Sequence, residues 1–166
     1  MNRQTPTTPK KANRIFLVCL TLAIILITVI ANAQDRYSIN ITTDNVIFQK
    51  GIFYGGIEFD AEFSNNIYVR PQVHYADLKD GYLETSCGIG YRIPLERISL
   101  KSGIKLGVIN RADTYPIFGF EGAFEYLITE KFSIGLRGSY DARGDADFYD
   151  GQSWVFNSQG YLKFVL

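Results

Sequence analysis

The sequence predicts an all-β chain: eight antiparallel strands joined in order as an up-and-down barrel. Three observations carry this. Apolar and polar residues alternate with a period of two in run after run, the signature of a strand with two unlike faces. After Ala33 no stretch of eleven or more positions shows the three-to-four spacing of an amphipathic helix. Short clusters of Asn, Asp, Gly, Pro and Ser separate the runs, and these residues favour turns.

The runs lie at roughly 36–44, 52–63, 67–77, 82–93, 98–109, 115–128, 132–142 and 153–166. The second sets Ile57, Phe59, Ala61 and Phe63 against Glu58, Asp60 and Glu62. After Ser64-Asn65-Asn66, the third sets Ile67, Val69, Pro71 and Val73 against Tyr68, Arg70 and Gln72. Pro71 brings no N–H to a ladder, so a local bulge is expected there. The fourth opposes Leu83, Cys87, Ile89, Tyr91 and Ile93 to Glu84, Ser86, Gly88, Gly90 and Arg92. The fifth opposes Ile98, Leu100, Ile104, Leu106 and Val108 to Ser99, Lys101, Gly103, Lys105 and Gly107. In the sixth, Phe118, Phe120, Phe124, Tyr126 and Ile128 stand against Gly119, Glu121, Ala123 and Glu125. The seventh sets Phe132, Ile134, Leu136 and Tyr140 against Ser133, Gly135, Arg137 and Ser139. The last has Trp154, Phe156, Leu162, Phe164 and Leu166 on one side and Asn157, Gln159, Tyr161 and Lys163 on the other.

Residues 1–33 read as a secretory signal peptide. Lys10, Lys11 and Arg14 precede the 16-residue apolar run 15–30, and Ala31-Asn32-Ala33 offers the small residues of a cleavage site. Residues 34–166 then form one barrel domain. The whole chain has 17 basic and 17 acidic residues, and the signal holds four basic residues and no acids, so the remainder carries a net charge of −4. That balance gives nucleic acid no basic surface to bind. Removing the signal leaves Cys87 as the sole cysteine, so an exported domain of this size needs stability from something other than an internal disulfide.

Alternation alone does not say which face is inside. A soluble, lipocalin-like carrier turns its apolar face inward around a ligand; a transmembrane barrel turns it outward to lipid. The make-up of the two faces favours the second. Glycine is concentrated mid-strand on the polar side, where a narrow lumen needs room beside long Arg and Lys side chains. Aromatics gather near the run ends of the apolar side, with Phe63, Tyr91, Tyr126, Phe132 and Phe164 at one end and Phe53, Tyr75, Phe118, Tyr140 and Trp154 at the other. Two such belts suit the two membrane–water interfaces. The runs are about 9–14 residues long, enough for a tilted membrane strand.

On this pattern the chain resembles the small eight-stranded outer-membrane β-barrels of the OmpA/OmpX type from Gram-negative bacteria, over the whole of residues 34–166. For OmpA the resemblance extends to the barrel part only. The terminal stretch Tyr161-Leu-Lys-Phe-Val-Leu166 is similar to the signal that the barrel assembly machinery reads in such proteins, although Leu166 stands where Phe is usual. The resemblance implies an outer-membrane location, contact with outer-membrane lipid and passage through that machinery.

Turned inward, the polar face supplies six acids, Glu58, Asp60, Glu62, Glu84, Glu121 and Glu125, against six bases, Arg70, Arg92, Lys101, Lys105, Arg137 and Lys163, with His74 among them. Counting across hairpins puts Asp60 opposite Arg70 and His74 opposite Glu84, with Arg137 diagonal to Glu121 and Glu125; neighbours at these positions interact. Unpaired buried charge costs several kcal/mol, and eight strands leave an interior just wide enough for side chains. The expectation is a closed, charge-paired lumen, with a narrow gated ion path as the rival.

No catalytic constellation stands out. The residue two after His74 is Ala76, so the His-and-Ser spacing of the lipid A deacylase type fails, and no cofactor motif is present. Asp141, Asp145, Asp147 and Asp150 are candidates for a loose divalent-cation site. Their spacing does not match an EF-hand loop, and a solvated acidic loop is the plainer reading. Phe148 and Tyr149 give loop 141–152 something apolar for an external partner to hold.

Overall fold

A computed structural model of the chain describes residues 36–44, 54–77, 81–145 and 151–166. The expected signal peptide, Phe53, Asp147, Phe148, Tyr149 and Asp150 lie outside the described residues. Eight strands, β1 (Arg36–Asp44), β2 (Tyr54–Glu62), β3 (Ile67–Ala76), β4 (Leu83–Leu95), β5 (Ile98–Asn110), β6 (Thr114–Thr129), β7 (Phe132–Arg143) and β8 (Trp154–Val165), pair antiparallel in chain order. β8 pairs back to β1, from Ser38↔Val165 to Asp44↔Gln159, so the sheet closes into a barrel. Closure leaves no free edge, and each strand finds partners on both sides.

The strands begin and end within three residues of the sequence expectation. β4 and β5 run further than their alternation does: Leu95 pairs with Ile98, leaving Glu96-Arg97 as a two-residue turn. At the end holding the start of β1 and the close of β8, the connections span two to four residues; at the other end they span three, six, nine and ten. These are called here the terminal end and the loop end.

Pro71 does not produce the expected bulge. Glu58↔Gln72 on one side of it and Ala61↔Val69 on the other keep one register, and Pro71 pairs with Cys87 on β4. The missing N–H removes the rungs at Phe59/Pro71 and Asp60/Arg70 from the β2–β3 ladder, and the flanking rungs hold the strands in step. The sheet's register shift is elsewhere, between Leu127 and Thr129 on β6.

The two faces separate as a lipid-facing barrel requires. Ile57 (66%), Leu136 (67%) and Phe156 (62%) are exposed on the outer wall, while Glu58, Asp60 and His74 are fully buried within. The soluble, ligand-carrying alternative does not fit: its apolar face would line the interior, and here most of the large apolar side chains point out while the interior is mainly ionic and polar. Of the expected belt aromatics, Tyr75, Tyr91, Phe118, Tyr126, Tyr140, Trp154 and Phe164 are exposed, with Phe63 and Phe132 half-buried. Phe132 packs on Phe164 and Tyr140 stacks on Trp154, at ring separations of 5.2 and 5.1 Å. The aromatics are not confined to the two ends, because Phe120 and Phe124 also project from the middle of β6.

Candidate functional site

The interior is the concentrated chemistry of this protein. Strand alternation sends every second residue inward, and over most of the barrel those residues are polar. Eight carboxylates are buried among the described residues: Glu58, Asp60, Glu62, Glu84, Glu121, Glu125, Asp141 and Asp145. Six bases are buried with them, Arg70, Lys101, Lys105, Arg137, Arg143 and Lys163; Arg92 and Arg111, each with 18% of the side chain exposed, sit at the edges of the network.

The charges fall into three connected groups. Nearest the terminal end, Lys101 and Lys163 lie among Asp60, Glu62 and Glu125. Lys101 is 2.6 Å from Glu62 and 3.5 Å from Glu125, Lys163 is 3.1 Å from Glu125, and Lys101 also bonds Asp60. Arg92 closes on Glu62. Mid-barrel, Arg137 grips Glu58 in a two-pronged contact whose second hydrogen bond, from Nη2, is 2.7 Å. Arg70 bonds Glu121 and lies 3.7 Å from Glu58; the Tyr68 hydroxyl donates to Glu121 at 2.8 Å. Toward the loop end, Lys105 bridges Asp141 at 2.7 Å and Glu84 at 3.3 Å, and Arg143 donates to Asp145 at 3.0 Å.

Hairpin counting finds the facing residues and misses most of the partners. Arg70 lies across from Asp60 in register, yet it bonds Glu121 on β6; Arg137 lies diagonal to Glu121 and Glu125, yet it bonds Glu58 on β2. Both expectations are corrected for one reason. In a narrow closed barrel the long guanidinium side chains reach across the axis, and strands far apart in sequence become nearest neighbours. His74 does sit opposite Glu84; its Nδ1 is 3.9 Å from Glu84 and its Nε2 is 3.4 Å from Glu58, which places the ring between the middle and loop-end groups.

The aspartates are also corrected. Asp141 belongs to β7 and is fully buried, its Oδ2 accepting hydrogen bonds from Lys105, Ser139 and Asn157 at 2.7–3.0 Å. Asp145 is buried against Arg143. Neither is a solvated loop group: β7 continues to Arg143, so odd-numbered positions keep facing inward. A different trio, Asp60, Glu62 and Glu125, brings carboxylate oxygens within 4.8 Å of one another. The ammonium groups of Lys101 and Lys163 occupy the place of a cation there.

Glycine makes this density possible. A Cβ on Gly56 would collide with the His74 ring, one on Gly119 with the Asp141 carboxylate, and one on Gly135 with the Tyr161 ring. Ser86 accepts a hydrogen bond from Gln72 at 2.7 Å and donates to Glu84 at 3.0 Å. Among the described residues no hydrogen bond joins Ser86 to His74, and both side chains meet at the Glu84 carboxylate.

No protein-family model matches the sequence, and no curated protein matches it. Among solved structures, the barrel is similar to the N-terminal β-barrel domain of Pseudomonas aeruginosa OprF, with a TM-score of 0.59 at 10% identity over 81% of this chain and 100% of that one. It is also similar to the Yersinia pestis outer membrane protein Ail, determined in a phospholipid bilayer nanodisc, with a TM-score of 0.52 at 14% identity over 80% of this chain and 100% of that one. At these identities the likeness establishes fold: this chain has the closed eight-stranded architecture of small outer-membrane barrels.

Proposed function

We propose that this protein is an integral outer-membrane barrel of a Gram-negative bacterium, exported by a signal peptide at residues 1–33, with a closed, charge-paired lumen and a structural or surface-interaction role without catalysis. One observation supports the reading above the others. The same strands expose large apolar side chains outward and bury opposed charges inward, an arrangement stable when the outer solvent is lipid. The OprF and Ail likenesses agree with it in fold. In this reading Tyr161–Leu166 engages the barrel assembly machinery during insertion. Any external partner meets the loop end, around residues 141–152, where the longest connection lies.

The rival use of the same interior is a narrow gated ion path. Its support is local: Lys101 has three carboxylates within 3.5 Å, so partner exchange there takes only small movements. Planar-bilayer recording on refolded protein separates the two. The closed lumen predicts a silent bilayer containing a heat-modifiable, detergent-requiring band; stable single-channel steps would replace it with the gated path.

A further inference from the structure

The inward face is not polar along its whole length. On β5, Lys101 and Lys105 are followed at the same phase by Ile109; on β6, Glu125 and Glu121 give way to Ile117. On β2 the inward series ends in Tyr54, on β3 in Ala76, and just before β4 in Tyr82. Five neighbouring strands thus change from ionic to apolar near the loop end. These five side chains form one packed cluster, with Tyr115 against it.

The cluster is dry. Ala76 and Ile109 have no exposure, Tyr82 and Ile117 have 2%, and Tyr54 has 4%, although it stands at a mouth of the barrel. The Tyr54 ring packs on Tyr82 at 5.9 Å and on His74 at 5.3 Å, where cluster and network meet. Tyr82 is anchored from below, its hydroxyl donating to Glu84 at 2.8 Å and accepting from Arg143 at 2.7 Å. The opposite mouth differs: Arg92 there keeps part of its side chain in solvent and Arg36 is exposed.

We propose that Tyr54, Ala76, Tyr82, Ile109 and Ile117 form an apolar plug that seals the loop end on the β2–β6 side, a second barrier tied to the ion-pair network through the Tyr82 hydroxyl and flanked by Arg143, the partner of Ile117 in register. A hydrophobic constriction excludes water, and with it any hydrated ion, by leaving nothing to hydrogen-bond. The network holds its charges by pairing; the plug keeps water from competing with those pairs. The proposal rests on the closed-lumen reading and adds the location of the seal.

A thiol placed under the plug tests it. In a Cys87→Ala background, Ser86→Cys reports on the lumen, and a charged methanethiosulfonate reagent reports whether water reaches it in folded, micelle-bound protein. With the plug intact the thiol is expected to stay unlabelled. Tyr82→Ala/Ile109→Ala is expected to abolish protection with the heat-modifiable band retained, whereas Tyr82→Phe, which keeps the ring, is expected to preserve it. Labelling with the plug intact, or protection that survives the double alanine variant, would overturn the plug. Ser139→Cys provides a second reporter should Ser86→Cys fail to fold. A Leu106→Cys thiol on the outer wall reads lipid contact separately, so failure of the membrane assignment is distinguishable from failure of the plug.

Discussion

Lys105 and Leu106 are adjacent in the chain, yet Lys105 is 3% exposed and ion-paired while Leu106 is 48% exposed. The two walls of the barrel answer to different physics. With lipid outside, as proposed, an outer-wall side chain needs only to be apolar, because a fluid neighbour adapts to its shape. On the inner wall position decides everything: each charge has fixed partners, and several lack room even for an added Cβ nearby. The outer wall should therefore tolerate change of shape and resist change of polarity. The inner wall should resist both.

The largest expected effect comes from breaking one inner pair. Arg137→Met leaves Glu58 buried without its principal partner and should cost about 3–5 kcal/mol in urea unfolding of the lipid-folded protein. Arg137→Met with Glu58→Leu removes both charges and should recover most of that loss, since well-packed apolar replacements of buried ion pairs are often neutral. No recovery in the double variant would show that the charges act singly rather than as a pair.

Polarity on the outer wall comes next. Leu136 is the most exposed large apolar side chain of β7, and Leu136→Arg should destabilise the bilayer-inserted barrel by about 2–4 kcal/mol if it sits near the midplane. Gly119→Ala tests crowding: the added methyl meets the Asp141 carboxylate, and overpacking of this kind costs about 1–3 kcal/mol. The smallest effect belongs to the Glu96-Arg97 turn, exposed at both positions. Exchanging the two residues should change stability by less than about 0.5 kcal/mol, measured in the same unfolding series.

The strands and their facing were legible in the sequence because both are local. A period of two fixes which residues share a face, and clustered turn residues fix where a strand stops, as at Ser64-Asn65-Asn66. Ion-pair partners were not legible, because they depend on closure: Glu58 and Arg137 stand 79 positions apart in sequence, and no hairpin count joins β2 to β7. Asp141 was misplaced because an Asp/Gly-rich composition resembles a loop, while the inward phase of Ser133, Arg137 and Ser139 runs straight into it. The apolar plug broke the pattern used to find strands, since Ile109 and Ile117 carry apolar side chains on the polar phase. Pro71 misled in the other direction: a missing donor removes rungs without obliging the register to slip.

The central claim is that lipid bathes the outer wall. Single cysteines at Leu106, Phe120 and Leu136 in the Cys87→Ala background, labelled with a fluorophore and placed in liposomes carrying acyl-chain spin labels, test it directly. Strong quenching at all three sites, and weak quenching from an aqueous quencher, is the predicted result. Fluorescence indifferent to the acyl-chain label but quenched from water would contradict it.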